Sequence, residues 1–186
     1  MFKKLGSMVA AIVLTAGIAQ AASVQGNNRK DLQVIKDVAT SVQRYTQFTI
    51  FDDVSANVKD GVVTLSGKVT MPYKRDDIEK RVAKVDGVRD VRDEITVLPV
   101  SQFDEELRYR IARSIYNNSN FWNYAIMANP PIHIVVEHGR VTLTGVVQSE
   151  VDRMLARSLA TQFGAFSVTN ALKTDAEVAA ALEKSE

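Results

Sequence analysis

The stretch VTLSGKV at positions 63–69 returns as VTLTGVV at 141–147, an offset of 78 positions (141 − 63). A second similarity follows, since VRDEI at 91–95 corresponds to VTNAL at 168–172 with an offset of 77 (168 − 91). A glycine, Gly61 or Gly139, precedes each copy of the first motif. Self-similarity of this kind indicates two homologous modules in tandem.

The pattern of the first copy predicts the order of its elements. Apolar residues at helical spacing predict a helix over 31–45, and they are Leu32, Ile35, Val38 and Val42. Alternating apolar residues on both sides of Asp60-Gly61 predict an antiparallel hairpin. Gly67 lies on the apolar side of that hairpin, which indicates that another backbone or a helix comes close to it.

The second half of each copy completes an α-β-β-α-β unit. In the first copy Thr70 is expected to cap a helix that begins near Pro72, and 91–98 forms the last strand. In the second copy Ser149 and Asp152 form a capping pair, and 166–172 forms the last strand.

The fold class is therefore α+β, with two tandem modules that each have a three-stranded mixed sheet packed on two helices. The modules span 31–98 and 104–174, and the tail over 175–186 either forms a short helix or frays. Domains of about 60 residues are marginal alone, so the modules are expected to share an interface.

The N-terminus predicts export. Lys3 and Lys4 precede an apolar run over 8–19, and Ala19-Gln20-Ala21 fits a small-x-small cleavage site. This pattern is typical of a secretory signal peptide over 1–21, removed after Ala21. The remaining 165 residues (186 − 21) have a formal charge of −1 (+1 − 2), which does not favour nucleic acid as a partner.

The chain contains no cysteine, which excludes disulfides, thiolate metal sites, cysteine nucleophiles and a lipoprotein anchor. Neither do the other residue types assemble a catalytic or metal site. His133 and His138 are five positions apart, on opposite faces of a strand. The carboxylate pairs at 52–53, 76–77 and 105–106 fit capping roles better than acid/base catalysis. We therefore expect a protein that is not an enzyme and has no cofactor.

The doubled V-x-L-x-G hairpin, followed in each copy by V-x-(N/D)-x-(I/L), resembles the BON domain (bacterial OsmY and nodulation). Two-BON proteins include periplasmic proteins associated with osmotic and envelope stress, and outer-membrane lipoproteins that bind anionic phospholipid. The resemblance implies a periplasmic cell-envelope protein that contacts an anionic phospholipid membrane surface peripherally.

The modules differ most between the first helix and the hairpin. The second module carries about three more residues there, because Leu107 to Gly139 spans 32 positions and Leu32 to Gly61 spans 29. Its segment 117–131 contains the only tryptophan. Aromatic side chains with a polar group suit headgroup level or a protein interface, and arginines near Arg108 on the preceding helix can pair with phosphates. The predicted binding residues are Arg110, Arg113, Tyr116, Phe121, Trp122 and Tyr124.

Two alternatives stay open. Trp122 can instead fold back over the end of the sheet as a plug, since tryptophan is usually well buried. The function can instead be that of a chaperone-like or interaction module that binds envelope proteins or unfolded clients. Lipid binding should weaken with salt, whereas client binding should follow exposed hydrophobic segments.

Overall fold

The computed structural model describes residues 30–183, so the predicted signal peptide over 1–21 lies outside the described residues. The first module consists of α1 (30–43), β1 (Asp53–Lys59), β2 (Val62–Val69), α2 (Pro72–Val82) and β3 (Asp90–Val97). The second consists of α3 (Gln102–Tyr116), α4 (Trp122–Ala125), β4 (Ile132–Glu137), β5 (Arg140–Val147), α5 (Glu150–Ala160), β6 (Ser167–Asn170), β7 (Lys173–Thr174) and α6 (Asp175–Glu183). No helix among the described residues is long and apolar enough to cross a bilayer.

Both sheets are mixed, which confirms the predicted fold class. In the first, β2 pairs antiparallel with β1 and parallel with β3. In the second, β5 pairs antiparallel with β4 and parallel with β6. The last strand of the second module is interrupted, and its continuation β7 also pairs parallel with β5. At the break, the Asn170 side chain accepts a hydrogen bond from the Leu172 amide at 3.3 Å.

Each module has its own hydrophobic core. The repeated motif supplies Val63, Leu65 and Val69 to the first, all fully buried. The predicted helical stripe is partly wrong: α1 buries Val34 along with the expected Val38 and Val42, whereas Leu32 and Ile35 are only half-buried. Positions 34, 38 and 42 follow one side of a helix with 3.6 residues per turn, and this stripe is better aligned than the predicted one.

Gly67 and Gly145 meet a backbone carbonyl, as predicted for the first of them. A Cβ atom at Gly67 would lie 2.1 Å from the Asp53 oxygen, and one at Gly145 would lie 1.8 Å from the Pro131 oxygen. Both glycines have positive φ, +128° and +113°. The glycine of the repeated motif therefore lets the first strand of each hairpin approach closely.

An aspartate at the start of the first helix holds the hairpin turn in each module. Asp31 accepts hydrogen bonds from the amides of Asp60 and Gly61 at 2.8 and 3.1 Å. Asp104 accepts from the amides of His138 and Gly139 at 2.8 and 2.7 Å. Both central residues of each turn have positive φ, the type I′ geometry that right-handed strand twist favours.

This equivalence corrects the predicted length of the insertion. Asp31 to Gly61 spans 30 positions (61 − 31) and Asp104 to Gly139 spans 35 (139 − 104), so the second module carries five extra residues rather than about three. The predicted length rests on pairing Leu32 with Leu107, but the buried residue that matches Leu107 is Val34.

Capping differs from the prediction in one of two cases. The Ser149 hydroxyl accepts a hydrogen bond from the Asp152 amide at 3.1 Å and caps α5 as expected. The predicted cap by Thr70 is wrong, because Met71 is the N-cap residue of α2 and makes no side-chain cap. The Thr70 hydroxyl instead donates to the buried Asp52 at 2.8 Å.

Within the tail, Asp175–Glu183 forms α6, which is attached to the second module. Arg153 of α5 pairs with Glu177 of α6 at 3.0 Å. The Glu177 carboxylate also accepts from the Thr174 amide at 2.8 Å, and this backbone hydrogen bond and the Arg153 contact hold its pKa below the usual value.

Candidate binding surface

The segment 117–131 divides into a buried and an exposed side. Phe121 is fully buried and Tyr124 is 3% exposed, both in the core of the second module. Trp122 is 65% exposed. The plug interpretation is therefore wrong for Trp122, and it is Phe121 that fills the core. A side chain without exposed surface cannot contact a headgroup in this fold, so Phe121 and Tyr124 are corrected from binding to structural residues.

Hydrogen bonds explain the position of the two tyrosines. The Tyr124 hydroxyl accepts from the Gln148 amide at 2.7 Å and donates to Asp152 at 3.0 Å. The Tyr116 hydroxyl donates to the Ile132 carbonyl at 2.6 Å and accepts from the Ile132 amide at 3.2 Å. Burial raises the pKa of both phenols. Tyr116 thus ties the end of α3 to the hairpin, and Tyr124 ties the segment 117–131 to the start of α5.

The segment exposes large apolar side chains as well as asparagines. Ile126 is 64% exposed and Met127 is 44% exposed. The Ile126 amide donates to the Trp122 carbonyl at 3.3 Å, so Trp122 and Ile126 are one helical turn apart and lie on the same side. We name Trp122, Ile126 and Met127 the Trp122 patch. None of the three side chains belongs to the core of the second module.

The three arginines of α3 have different surroundings. Arg108 is buried, and its guanidinium donates to the Val136 carbonyl at 2.6 Å. Burial lowers the pKa of Arg108, partly offset by Asp104. Arg110 is exposed and pairs with Glu106 at 2.5 Å. Arg113 is exposed in the last turn of α3 and has no ion-pair partner among residues 30–183. Arg113 is therefore the arginine of α3 that is most available to an anionic partner, nine positions before Trp122 in the chain (122 − 113).

The modules share an interface, which confirms that expectation. The Ile134 amide donates to the Ile50 carbonyl at 2.7 Å. The Nδ1 atom of His133 lies 2.6 Å from the Asp52 carbonyl, and because a carbonyl only accepts, Nδ1 carries the proton. Lys68 and Glu137 form an ion pair across the same boundary. A cleft of about 580 Å³ between the modules has Phe48, Pro131 and His133 in its lining.

Sequence reasoning missed the buried charge at this boundary. The Asp52 carboxylate accepts five hydrogen bonds, from the amides and hydroxyls of Thr49 and Thr70 and from the Lys74 ammonium at 2.6 Å. Burial raises the pKa of Asp52, but these hydrogen bonds outweigh it and the pKa lies below the usual value. The adjacent Asp52-Asp53 pair indicated only a cap. Within residues 30–183 no group of three or more acidic or imidazole side chains could hold a metal ion.

Comparison with known families gives the chain its class. The BON domain family matches residues 30–99 and 104–183, one match for each module. The chain belongs to the BON domain family. BON domains are associated with the cell envelope and with phospholipid, and proteins that contain them are generally non-enzymatic. No curated protein matches the chain.

Two solved structures resemble this BON protein distantly. One is the C-terminal domain of CdsD, the structural protein of the type III secretion system of Chlamydia trachomatis, at 19% identity and a TM-score of 0.33, covering 81% of this chain and 68% of that one. Another structure of CdsD has 13% identity and a TM-score of 0.30, covering 81% of this chain and 97% of that one.

Both BON modules use their repeated residues for folding. Gly61 and Gly139 form the turns, Gly67 and Gly145 admit the neighbouring strand, and Asp93 accepts from the Ile95 amide at 2.9 Å much as Asn170 accepts from Leu172. The Trp122 patch is the main feature that the modules do not share. It is therefore the candidate binding surface.

Proposed function

We propose that this protein is a non-enzymatic periplasmic protein of the cell envelope, whose second BON module binds anionic phospholipid through the Trp122 patch and Arg113. The observation that carries the proposal is the 65% exposure of Trp122, in a segment whose other aromatic side chains are buried. An exposed indole with an aliphatic side chain one helical turn away suits the boundary between headgroups and acyl chains.

The strength of binding follows from the number of groups. A cation near an anionic surface contributes about 1 kcal/mol, and Arg113 alone therefore gives weak, salt-sensitive attraction. Arg110 adds less because Glu106 already pairs with it. Insertion of Trp122 and Ile126 supplies the apolar part, at about 25 cal/mol for each Å² removed from water. Attachment is thus peripheral and reversible.

Trp122 is the natural reporter, since it is the only tryptophan in the chain. Its exposure means that its emission in buffer should be that of a hydrated indole. Titration with phosphatidylglycerol vesicles should shift the emission to the blue, and high salt should reduce the shift. Phosphatidylcholine vesicles should leave the emission unchanged.

A matched pair of variants tests the contribution of charge. Arg113→Gln removes the arginine of α3 that has no ion-pair partner among residues 30–183, and we expect about fivefold weaker binding to phosphatidylglycerol. Arg140→Gln removes an exposed arginine next to the hairpin turn, at the opposite end of α3, and should bind like the wild type. Emission that no vesicle shifts would contradict the lipid proposal and favour binding of envelope proteins or unfolded clients by the same patch.

A further inference from the structure

The first module has a basic groove that the proposed lipid surface does not use. It lies between α1 and α2, has a volume of about 520 Å³, and is lined by Ser41, Asp77, Lys80, Arg81, Lys84 and Val85. We name it the α1–α2 groove. Three cations and one carboxylate line it, so its net formal charge is +2 (3 − 1).

Arg81 stacks on an aromatic ring at the groove. Its guanidinium carbon lies 4.7 Å from the centre of the Tyr45 ring, a cation–π contact. Tyr45 is itself fixed by a hydrogen bond from its hydroxyl to Asp77 at 2.8 Å. A stacked guanidinium keeps its N–H edge free for an acceptor, and that planar edge matches two oxygens of a phosphate.

Two lysines add positive charge to the groove. Lys80 lies in the last turn of α2, and Lys84 lies two positions beyond the end of the helix at Val82. Neither has an ion-pair partner among residues 30–183. The helix dipole favours cations near the end of α2, but it does not account for a guanidinium stacked beside two unpaired lysines in one groove.

The second module shows that the fold does not require this arrangement. At the motif offset of 78 the three cations correspond to Ser158, Leu159 and Gln162. At the offset of 73 between the turn-holding aspartates (104 − 31), Tyr45 corresponds to Asn118. One module therefore folds without the cations and without the ring, and the groove is specific to the other.

We propose that the α1–α2 groove is a phosphate-binding site, in which Arg81 makes paired hydrogen bonds to the phosphate and Lys80 and Lys84 neutralise its charge. The phosphate can belong to a lipid headgroup or to a soluble molecule, and the chemistry of recognition is the same. This site is separate from the Trp122 patch and does not depend on the function proposed for it.

The test compares a double lysine variant with a control of equal charge, and adds a variant that keeps the charge of the wild type. Lys80→Gln with Lys84→Gln removes two cations from the groove, and Arg81→Lys keeps the charge but removes the planar fork. The control, Lys59→Gln with Lys173→Gln, removes two exposed lysines elsewhere. Backbone amide NMR spectra are recorded during titration with inorganic phosphate, against sodium chloride at the same ionic strength. Unchanged signals elsewhere in each variant show that it is folded.

We expect phosphate to shift the amide signals of Ser41 and of residues 80–85 in the wild type and the control. The shifts should disappear in the double lysine variant and decrease in Arg81→Lys. If phosphate moves no signal at the groove, or if the control loses the shifts as well, the proposal is wrong.

Sedimentation with phosphatidylglycerol vesicles distinguishes the sources. For a headgroup, the double lysine variant should bind about 30-fold more weakly than the wild type, at about fivefold for each cation. For a soluble phosphate, vesicle binding should equal that of the control while the NMR shifts are still lost. Trp122 emission reports the second module separately, so failure of one site is distinguishable from failure of the other.

Discussion

The two modules satisfy the same backbone amide with different chemistry. Thr70 and Gln148 are equivalent at the motif offset of 78 (148 − 70), just before the second helix of each module. The Thr70 amide donates to the Asp52 carboxylate at 2.8 Å, and the Gln148 amide donates to the Tyr124 hydroxyl at 2.7 Å. The fold thus requires an acceptor at this place and leaves its identity free.

The residue of the second helix that contacts this acceptor also differs between the modules. Lys74 and Asp152 are equivalent (152 − 74 = 78), and Asp52 pairs with the lysine whereas Tyr124 donates to the aspartate. The first module buries an ion pair, and the second uses an aromatic residue from its insertion. The same insertion buries Phe121 and exposes Trp122. The longer segment that supplies the Tyr124 hydroxyl as acceptor therefore also adds an exposed surface that the first module lacks.

The neighbours Phe121 and Trp122 should give the largest contrast. Phe121→Ala leaves a cavity in the core and should lower the free energy of unfolding by about 4 kcal/mol. Trp122→Ala removes an exposed side chain and should change it by less than about 0.5 kcal/mol. Urea unfolding followed by circular dichroism measures both. Similar losses for the two variants would mean that Trp122 also packs in the core in solution.

Removal of the two acceptors should have a smaller but unequal effect. Asp52→Ala leaves the Lys74 ammonium buried without its partner and should cost about 3 kcal/mol. Tyr124→Phe removes one hydroxyl and should cost about 1–2 kcal/mol. Asp86→Asn, at an exposed carboxylate of the first module, is the control and should be neutral. Equal costs would show that the buried charge adds nothing to the hydrogen bond.

The dependence of the free energy of unfolding on pH in the acid range tests the Asp52 carboxylate. Because the pKa of Asp52 is lower in the folded than in the unfolded chain, its contribution is complete above a pH of about 4 and is lost as the pH falls through the folded pKa. The wild type should therefore lose stability below that pH, and Asp52→Asn should lose less over the same range. Parallel curves would exclude Asp52 as a source of acid sensitivity.

The turn-holding aspartates should rank next. Asp104 is fully buried and accepts both amide hydrogen bonds within 2.8 Å, whereas Asp31 is half-buried and one of its bonds is 3.1 Å. Asp104→Ala should cost about 2 kcal/mol and Asp31→Ala about 1 kcal/mol. Thermal unfolding of the two variants gives the comparison. A larger loss for Asp31→Ala would show that burial of the aspartate does not determine how much its hydrogen bonds to the turn stabilise the module.

Periodicity predicts what both modules share. The alternation around Gly61 and Gly139 is enough to place the hairpins, and the position of Gly67 on the apolar side indicates the close backbone contact that it makes. Such features depend on residues that are close in the chain, so a single sequence is enough to predict them. The duplication supports the prediction because the same local pattern occurs twice.

Contacts between distant residues are not predictable in this way. Asp104 is 35 positions from the Gly139 amide it accepts from, and Asp52 is 22 positions from Lys74. Nothing local separates an aspartate that caps a helix from one that is buried as an acceptor. The proposed binding surface is predictable only in part, for a related reason. Aromatic content identifies the segment, but only packing decides that Phe121 is buried and Trp122 is exposed.

The smallest effect is expected at the boundary between the modules. Lys68 and Glu137 pair across it, but their side chains are 38% and 36% exposed, so water screens the pair. A double-mutant cycle with Lys68→Met and Glu137→Gln should give a coupling of at most about 0.5 kcal/mol, and high salt should reduce it. The exposed pair of Arg110 and Glu106 within α3 is the control cycle and should give a similar value.

Because the Ile134 amide and His133 bind backbone carbonyls of the first module, we expect those bonds to hold the modules together. A coupling well above that of the control, and retained at high salt, would instead assign this role to the ion pair.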